Sequence, residues 1–210
     1  MNDEAAIALT DLVLALICAG CAVATARGPR RRIRPWATLL LVSVGVGALF
    51  GAGAHGLTVE RAGLLFHWLW SCTLISIGFA ALALYGLAAA ILLRPAWEYR
   101  VATLVIILLV PYAIFVLTIR APFWLAVAAY LPALAAFLVA LLVDTGRRRN
   151  GVHAAGVASA VMTVVAALVQ RESIPSWPLN HNVAYHLIQM IAMLLIPVWT
   201  RMETRPHDQS

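Results

Sequence analysis

Apolar positions along this chain do not alternate with polar ones, nor do they recur as a stripe on otherwise polar helices; they come in blocks. Seven apolar runs cover about residues 5–26, 36–55, 63–93, 101–119, 122–143, 151–170 and 182–200. A helix needs roughly 20 residues to cross the ~30 Å hydrocarbon layer. In lipid every backbone polar group must be satisfied internally, which for segments of this length means helices. The pattern predicts an all-α polytopic membrane protein of seven transmembrane helices, one domain over residues 1–210 with a short tail at 201–210. The first run follows Asp3 and Glu4 rather than a basic segment and lacks a small-residue cleavage site, so it reads as a retained span and not a signal peptide. Pro111 and Pro132 fall near mid-span, where proline frees carbonyls and kinks a helix unless neighbours cover it.

Composition agrees with the pattern. The chain is 63% hydrophobic and 11% charged, with a mean hydropathy of +0.90, far from the balance of a soluble domain. Cys18, Cys21 and Cys72 all lie inside predicted spans, which argues for packing thiols and against a disulfide scaffold or zinc ribbon. The basic residues are all Arg, so no Schiff base of the retinal type can form on a lysine.

The net charge of +6 does not point to nucleic acid, because the Arg residues cluster at span ends. The segments "RGPRRRIRP", "RPAWEYR" and "DTGRRRNG" and the tail hold twelve of the fifteen, whereas the opposite side has only Arg61, Arg120 and Arg171. Basic loops stay on the cytoplasmic side. The expected orientation is therefore amino terminus outside and carboxyl terminus in the cytoplasm, in a plasma membrane of the bacterial inner-membrane type, with membrane lipids as the surroundings and as substrate or ligand.

On that topology the histidines form a pattern. His55 closes the second span, His67 opens the third, and His181 and His186 open the seventh, all near the outer face, where Asp11 joins them from the first span. His153 and His207 belong to the inner side. Ionisable groups inside a membrane are costly and usually face the bundle interior with a partner. Asp11 has no basic residue in its own span, so its natural partner is an imidazole or a metal from another helix.

At about 100° per residue, Gly47, Gly51 and His55 share one stripe; His67, Ser71 and Gly78 share another; and Asn182, His186 and Gln189 a third. His181 is turned from His186 by about 140°, so it either belongs to a loop over the site or lies outside it. Three imidazoles from His55, His67 and His186 would leave an open fourth position, the arrangement of a catalytic zinc. Asp11, Ser71, Asn182 and Gln189 would then orient ligands or hold the bound water.

A histidine closing span two and "NHNVAYHLIQ" opening span seven resemble the CREST group of membrane proteins, which includes alkaline ceramidases, progestin and adiponectin receptors and haemolysin III-like proteins. The resemblance implies a zinc-dependent amide hydrolase acting on lipid, with His55 as the span-two ligand and His186 as the second histidine of the span-seven pair. Asn182 stands in the place of the first histidine of that pair and Gly51 in the place of the serine one turn before His55, and His67 lies near the expected aspartate, so that His67 or His181 would have to replace the missing metal ligand.

The function expected is hydrolysis of a lipid amide or ester, with Asp11 as general base and Ser71 or Asn182 donating to the oxyanion. Zinc would bring the pKa of bound water to roughly 7. Two alternatives remain: a non-enzymatic receptor or sensor with a histidine-rich pocket that responds to pH, and a haem protein with His55 or His67 paired to His186.

Overall fold

A computed structural model describes residues 3–28, 31–57, 63–119, 121–148, 151–172 and 180–203. Within these the chain is all helical, without a strand: α1 (Asp3–Ala26), α2 (Ile33–Gly56), α3 (Leu64–Leu92), α4 (Pro95–Thr118), α5 (Phe123–Arg148), α6 (Ala154–Glu172) and α7 (His181–Met202), with one 3-10 turn at Gly151–His153. Six helices are long and apolar enough to cross a membrane. The apolar part of α6 ends at Gln170 and is shorter, Ala154–Gln170. At 1.5 Å per residue its 17 residues span about 26 Å, slightly under the hydrocarbon thickness. α4 and α5 run on through Pro111 and Pro132.

The order of packing follows the small residues. α1 lies against α2 and α7, α2 against α3, α3 against α4 and α5, and α6 against α7 and α5, so that α1, α2, α3, α5, α6 and α7 close around one core. α4 runs beside α3, reaches α2 through the Glu98 side chain of its first turn, and exposes most of its length. Inside lipid the driving force between helices is close packing rather than escape from water, and it favours Gly and Ala at the interfaces. α3, the most buried helix, shows this. Ala80, Ala81, Ala83, Ala88, Ala89 and Ala90 are all buried, and Gly86 leaves the space that the Trp36 indole fills.

The antiparallel α1–α2 pair sets the register of the polar end. A Cβ on Gly45 would lie 3.0 Å from Cys18 Cβ, and one on Gly51 would lie 2.9 Å from Asp11 Oδ2. Further along, Glu4 Oε2 is 2.8 Å from His55 Nδ1. The two helices therefore cross with Cys18, Asp11 and Glu4 of α1 opposite Gly45, Gly51 and His55 of α2.

Candidate functional site

The amino-terminal part of α7 brings the site together. Asn180 caps the helix, its Oδ1 accepting from the Asn182 amide at 2.9 Å. Asn182 turns to α6, where its Oδ1 accepts from Gln170 Nε2 at 3.5 Å. His186, one turn on, faces α1. Its Nε2 is 3.1 Å from Asp11 Oδ1 and its Nδ1 is 2.9 Å from Thr10 Oγ1. Asp11 is 5% exposed and His186 7%, so a carboxyl and an imidazole occupy the packed interior, with the Thr10 hydroxyl at its edge.

Proton accounting defines what this trio does. The Thr10 hydroxyl has one proton and three acceptors in reach: Ile7 O at 2.9 Å, Ala6 O at 3.1 Å and His186 Nδ1. If Asp11 is ionised, the proton of the neutral imidazole is favoured on Nε2, which faces the carboxylate at 3.1 Å, and this leaves the Nδ1 lone pair for the Thr10 O–H. If Thr10 instead donates to the backbone, Nδ1–H donates to Thr10, and a second proton lies between Nε2 and Asp11. A hydroxyl on an imidazole that is oriented by a buried carboxylate is the arrangement that activates a nucleophile.

The surroundings fit the same end. Gly51 supplies the space for the Asp11 carboxylate, since any Cβ there would collide with it. Gln189 is 3% exposed and its Oε1 has no hydrogen-bond partner. It lies about one turn beyond His186, on nearly the same face.

Other sequence candidates lie elsewhere. His67 Nε2 is 3.0 Å from Leu117 O, and Ser71 Oγ donates to Val116 O at 3.2 Å, so both face α4 and serve the α3–α4 contact. The reason is steric: this face of α3 is the one covered by α4, and α4 ends beside it with carbonyls to satisfy. His55 pairs with Glu4. His181 is the half-buried first residue of α7, away from the turn that carries His186.

The three imidazoles expected to hold zinc therefore do not converge. Among the described residues no group of three or more His, Cys, Asp or Glu is arranged to hold a metal ion. Thr10 was not among the sequence candidates; its only signal is a hydroxyl next to an intramembrane acid.

A second polar centre, at the arginine-rich end, was also outside them. His153, fully buried, accepts at Nδ1 from Trp199 Nε1–H at 3.0 Å. Its proton is thereby fixed on Nε2, which donates to Asp144 Oδ2 at 2.6 Å. This clamp ties α5, the 3-10 turn and α7, and Gly156 leaves room for the Trp199 ring. At the same end Glu98 accepts from Arg32 and Trp36, joining α2 to α4.

Fold and site together define an all-helical chain with spans of membrane length and a buried acid–base cluster near one end. The chain belongs to the DUF6962 family, described as a family of unknown function, whose model matches residues 6–198. No curated protein and no solved structure matches it.

Proposed function

We propose that this is an integral membrane hydrolase that cleaves an ester or amide bond of a lipid, with Thr10, His186 and Asp11 as nucleophile, base and orienting acid. The observation that carries the reading is the Thr10–His186 hydrogen bond at 2.9 Å with the Asp11 carboxyl 3.1 Å from the other ring nitrogen. In this reading all seven helices lie in the plasma membrane. The amino terminus and the site are on the outer side, a placement that the arginine distribution favours.

Thr10 is half-buried beside Leu9 and Val13, both exposed on the outer surface of α1, so an acyl chain could reach it sideways from the bilayer. Asp11 holds Nε2–H, the Nδ1 lone pair takes the Thr10 proton, and Oγ1 attacks the acyl carbonyl. The imidazolium then protonates the departing alcohol or amine, and water repeats the sequence to release the fatty acid. Asp11 is the orienting group in this scheme, and no step uses a metal.

The test is covalent. Purified protein in mild detergent is treated with an alkyl fluorophosphonate, and the adduct is located by peptide mass spectrometry, with turnover of long-chain acyl esters and N-acyl amides measured in parallel. An adduct on Thr10 that is lost in His186→Ala and insensitive to chelator supports the reading. Absence of any adduct and of turnover would sink it and favour the receptor or sensor alternative. Turnover abolished by chelator would favour the metal hydrolase.

A further inference from the structure

The arginine-rich end carries a small cavity where the carboxyl end of α1, the start of α2 and the end of α7 meet, lined by Thr25, Gly28, Arg31, Arg34, Thr200 and Arg201. Its volume is about 10 Å³, room for roughly one oxygen atom with its hydrogens.

Thr25 is the informative residue. A threonine in a membrane helix ordinarily donates its hydroxyl back to the carbonyl one turn earlier. Thr73, Thr103, Thr118, Thr145 and Thr163 do so here. Thr25 and Thr38 do not: the Oγ1 of each has no partner among the described residues, and of the two it is Thr25, 2% exposed, that lines the cavity. A buried hydroxyl left in this state is expected to be satisfied by something that enters.

The mouth is cationic. Arg34 Nη1 donates to Gly28 O at 2.9 Å, which holds its guanidinium beside the opening. Arg31 and Arg201 are exposed at the same rim. Glu203, just past the end of α7, has its Oε2 4.0 Å from His153 Nε2. Orientation of the chain in the membrane accounts for arginines at this end, but orientation does not require an unpartnered hydroxyl behind them.

We infer that this recess binds a phosphate group. One phosphoryl oxygen enters the cavity and accepts from the Thr25 O–H, and the remaining oxygens lie among the guanidinium groups of Arg31, Arg34 and Arg201, whose planar donors match phosphate. The ligand is a phosphate ester or free phosphate. The position at the ends of three membrane-length helices is the depth of a lipid headgroup, and basic pockets between such helices suit anionic lipids.

The experiment is native mass spectrometry with thermal melting on the detergent-solubilised full chain. It is supplemented in turn with phosphatidylglycerol, with a galactolipid that has no phosphate, and with inorganic phosphate. Wild type is expected to retain phosphatidylglycerol at least fivefold better than the galactolipid and to melt several degrees higher with it. Thr25→Val and Arg34→Gln are each expected to lose most of that difference. Thr25→Val without added lipid should melt no lower than wild type, because it removes an unsatisfied hydroxyl; Arg34→Gln carries the test if that variant fails to fold.

If inorganic phosphate alone gives the full shift in melting, the natural ligand is a soluble phosphate compound. Equal retention of the two lipids with no effect of inorganic phosphate would overturn the proposal. So would variants that bind as well as wild type.

Discussion

Gly51 of α2 lies against the carboxylate of Asp11 so closely that a Cβ at that position would stand 2.9 Å from Oδ2 and 3.2 Å from Cγ. The absence of a side chain at residue 51 is therefore what allows a carboxylate to sit between α1 and α2 and meet His186. Gly51→Ala should displace the carboxylate, lower the rate of fluorophosphonate labelling at Thr10 by an order of magnitude or more, and lower the melting temperature by several degrees. Gly53→Ala is the control. A Cβ there meets the end of the flexible Leu69 side chain, nearest at Cδ2, 3.2 Å, which can turn away, so both labelling and melting should stay close to wild type.

Asp11→Asn separates chemistry from packing. The amide has the shape of the carboxyl, but its NH2 donates to Nε2, which moves the imidazole proton to Nδ1 and makes that nitrogen a donor to Thr10. The base is lost while the contact survives. If the three act as proposed, labelling of Thr10 should fall by about 10³- to 10⁴-fold, as in catalytic triads whose tautomer is reversed, with a stability change within ~1 kcal/mol. Asp11→Ala should lose both. Equal losses of labelling and melting temperature in the two variants would mean that Asp11 only packs.

Much of the fold is legible in the sequence because membrane-length apolar blocks carry their own boundaries. The start of α4, at Pro95 rather than residue 101, comes from a polar turn, "PAWEYR", that continues the helix outside the apolar run. The site is legible only in part. Asp11 and His186 stand out as polar residues in apolar segments, and helical spacing puts each on a definite face. Which faces meet is decided by packing order, and one sequence does not reveal that α4 covers the face of α3 bearing His67 and Ser71. Thr10 was hidden for another reason: a hydroxyl in a membrane helix normally bonds its own backbone, so its presence signals nothing. Asp144 opens the arginine-rich "DTGRRRNG" and His153 lies two residues after it, on the inner side, where charged and polar residues read as loop positions.

The His153 clamp should matter for stability and not for chemistry. Nδ1 accepts from Trp199 and Nε2–H donates to Asp144, both in the interior. His153→Ala leaves the indole N–H without this acceptor, at a cost of about 1–3 kcal/mol, in addition to the loss of packing around Trp199. Trp199→Phe removes the donor but keeps most of the ring against Phe137 and should cost less than His153→Ala. Thermal melting in detergent ranks the two, and labelling of Thr10 at a temperature where both variants are folded should match wild type. A labelling defect in folded His153→Ala would show that the two polar ends are coupled.

Glu98 is the anchor of α4 to the rest of the bundle. α4 runs beside α3, and its first turn relies on side chains from α2 and the residues just before it. Glu98 Oε2 accepts from Arg32 Nη2 at 2.6 Å and Nε at 2.9 Å, and Oε1 accepts from Trp36 Nε1–H at 2.6 Å. Glu98→Gln keeps one acceptor, but its NH2 must face either the guanidinium or the indole N–H, so one donor loses its partner. Arg32 is partly exposed and regains water, whereas Trp36 is wedged against Gly86. The amide should therefore turn its oxygen to Trp36, and the loss should be about 1–2 kcal/mol, the lower range for an ion pair with a hydrated partner. Glu98→Ala strands the indole N–H as well and should cost about twice as much. Proteolysis at the α3–α4 turn, read beside the global melting temperature, checks the assignment. If Glu98 anchors α4, cleavage there should rise several-fold in Glu98→Ala at temperatures well below the melt. Cleavage that rises only with global unfolding would mean that α4 is held by its α3 contact alone.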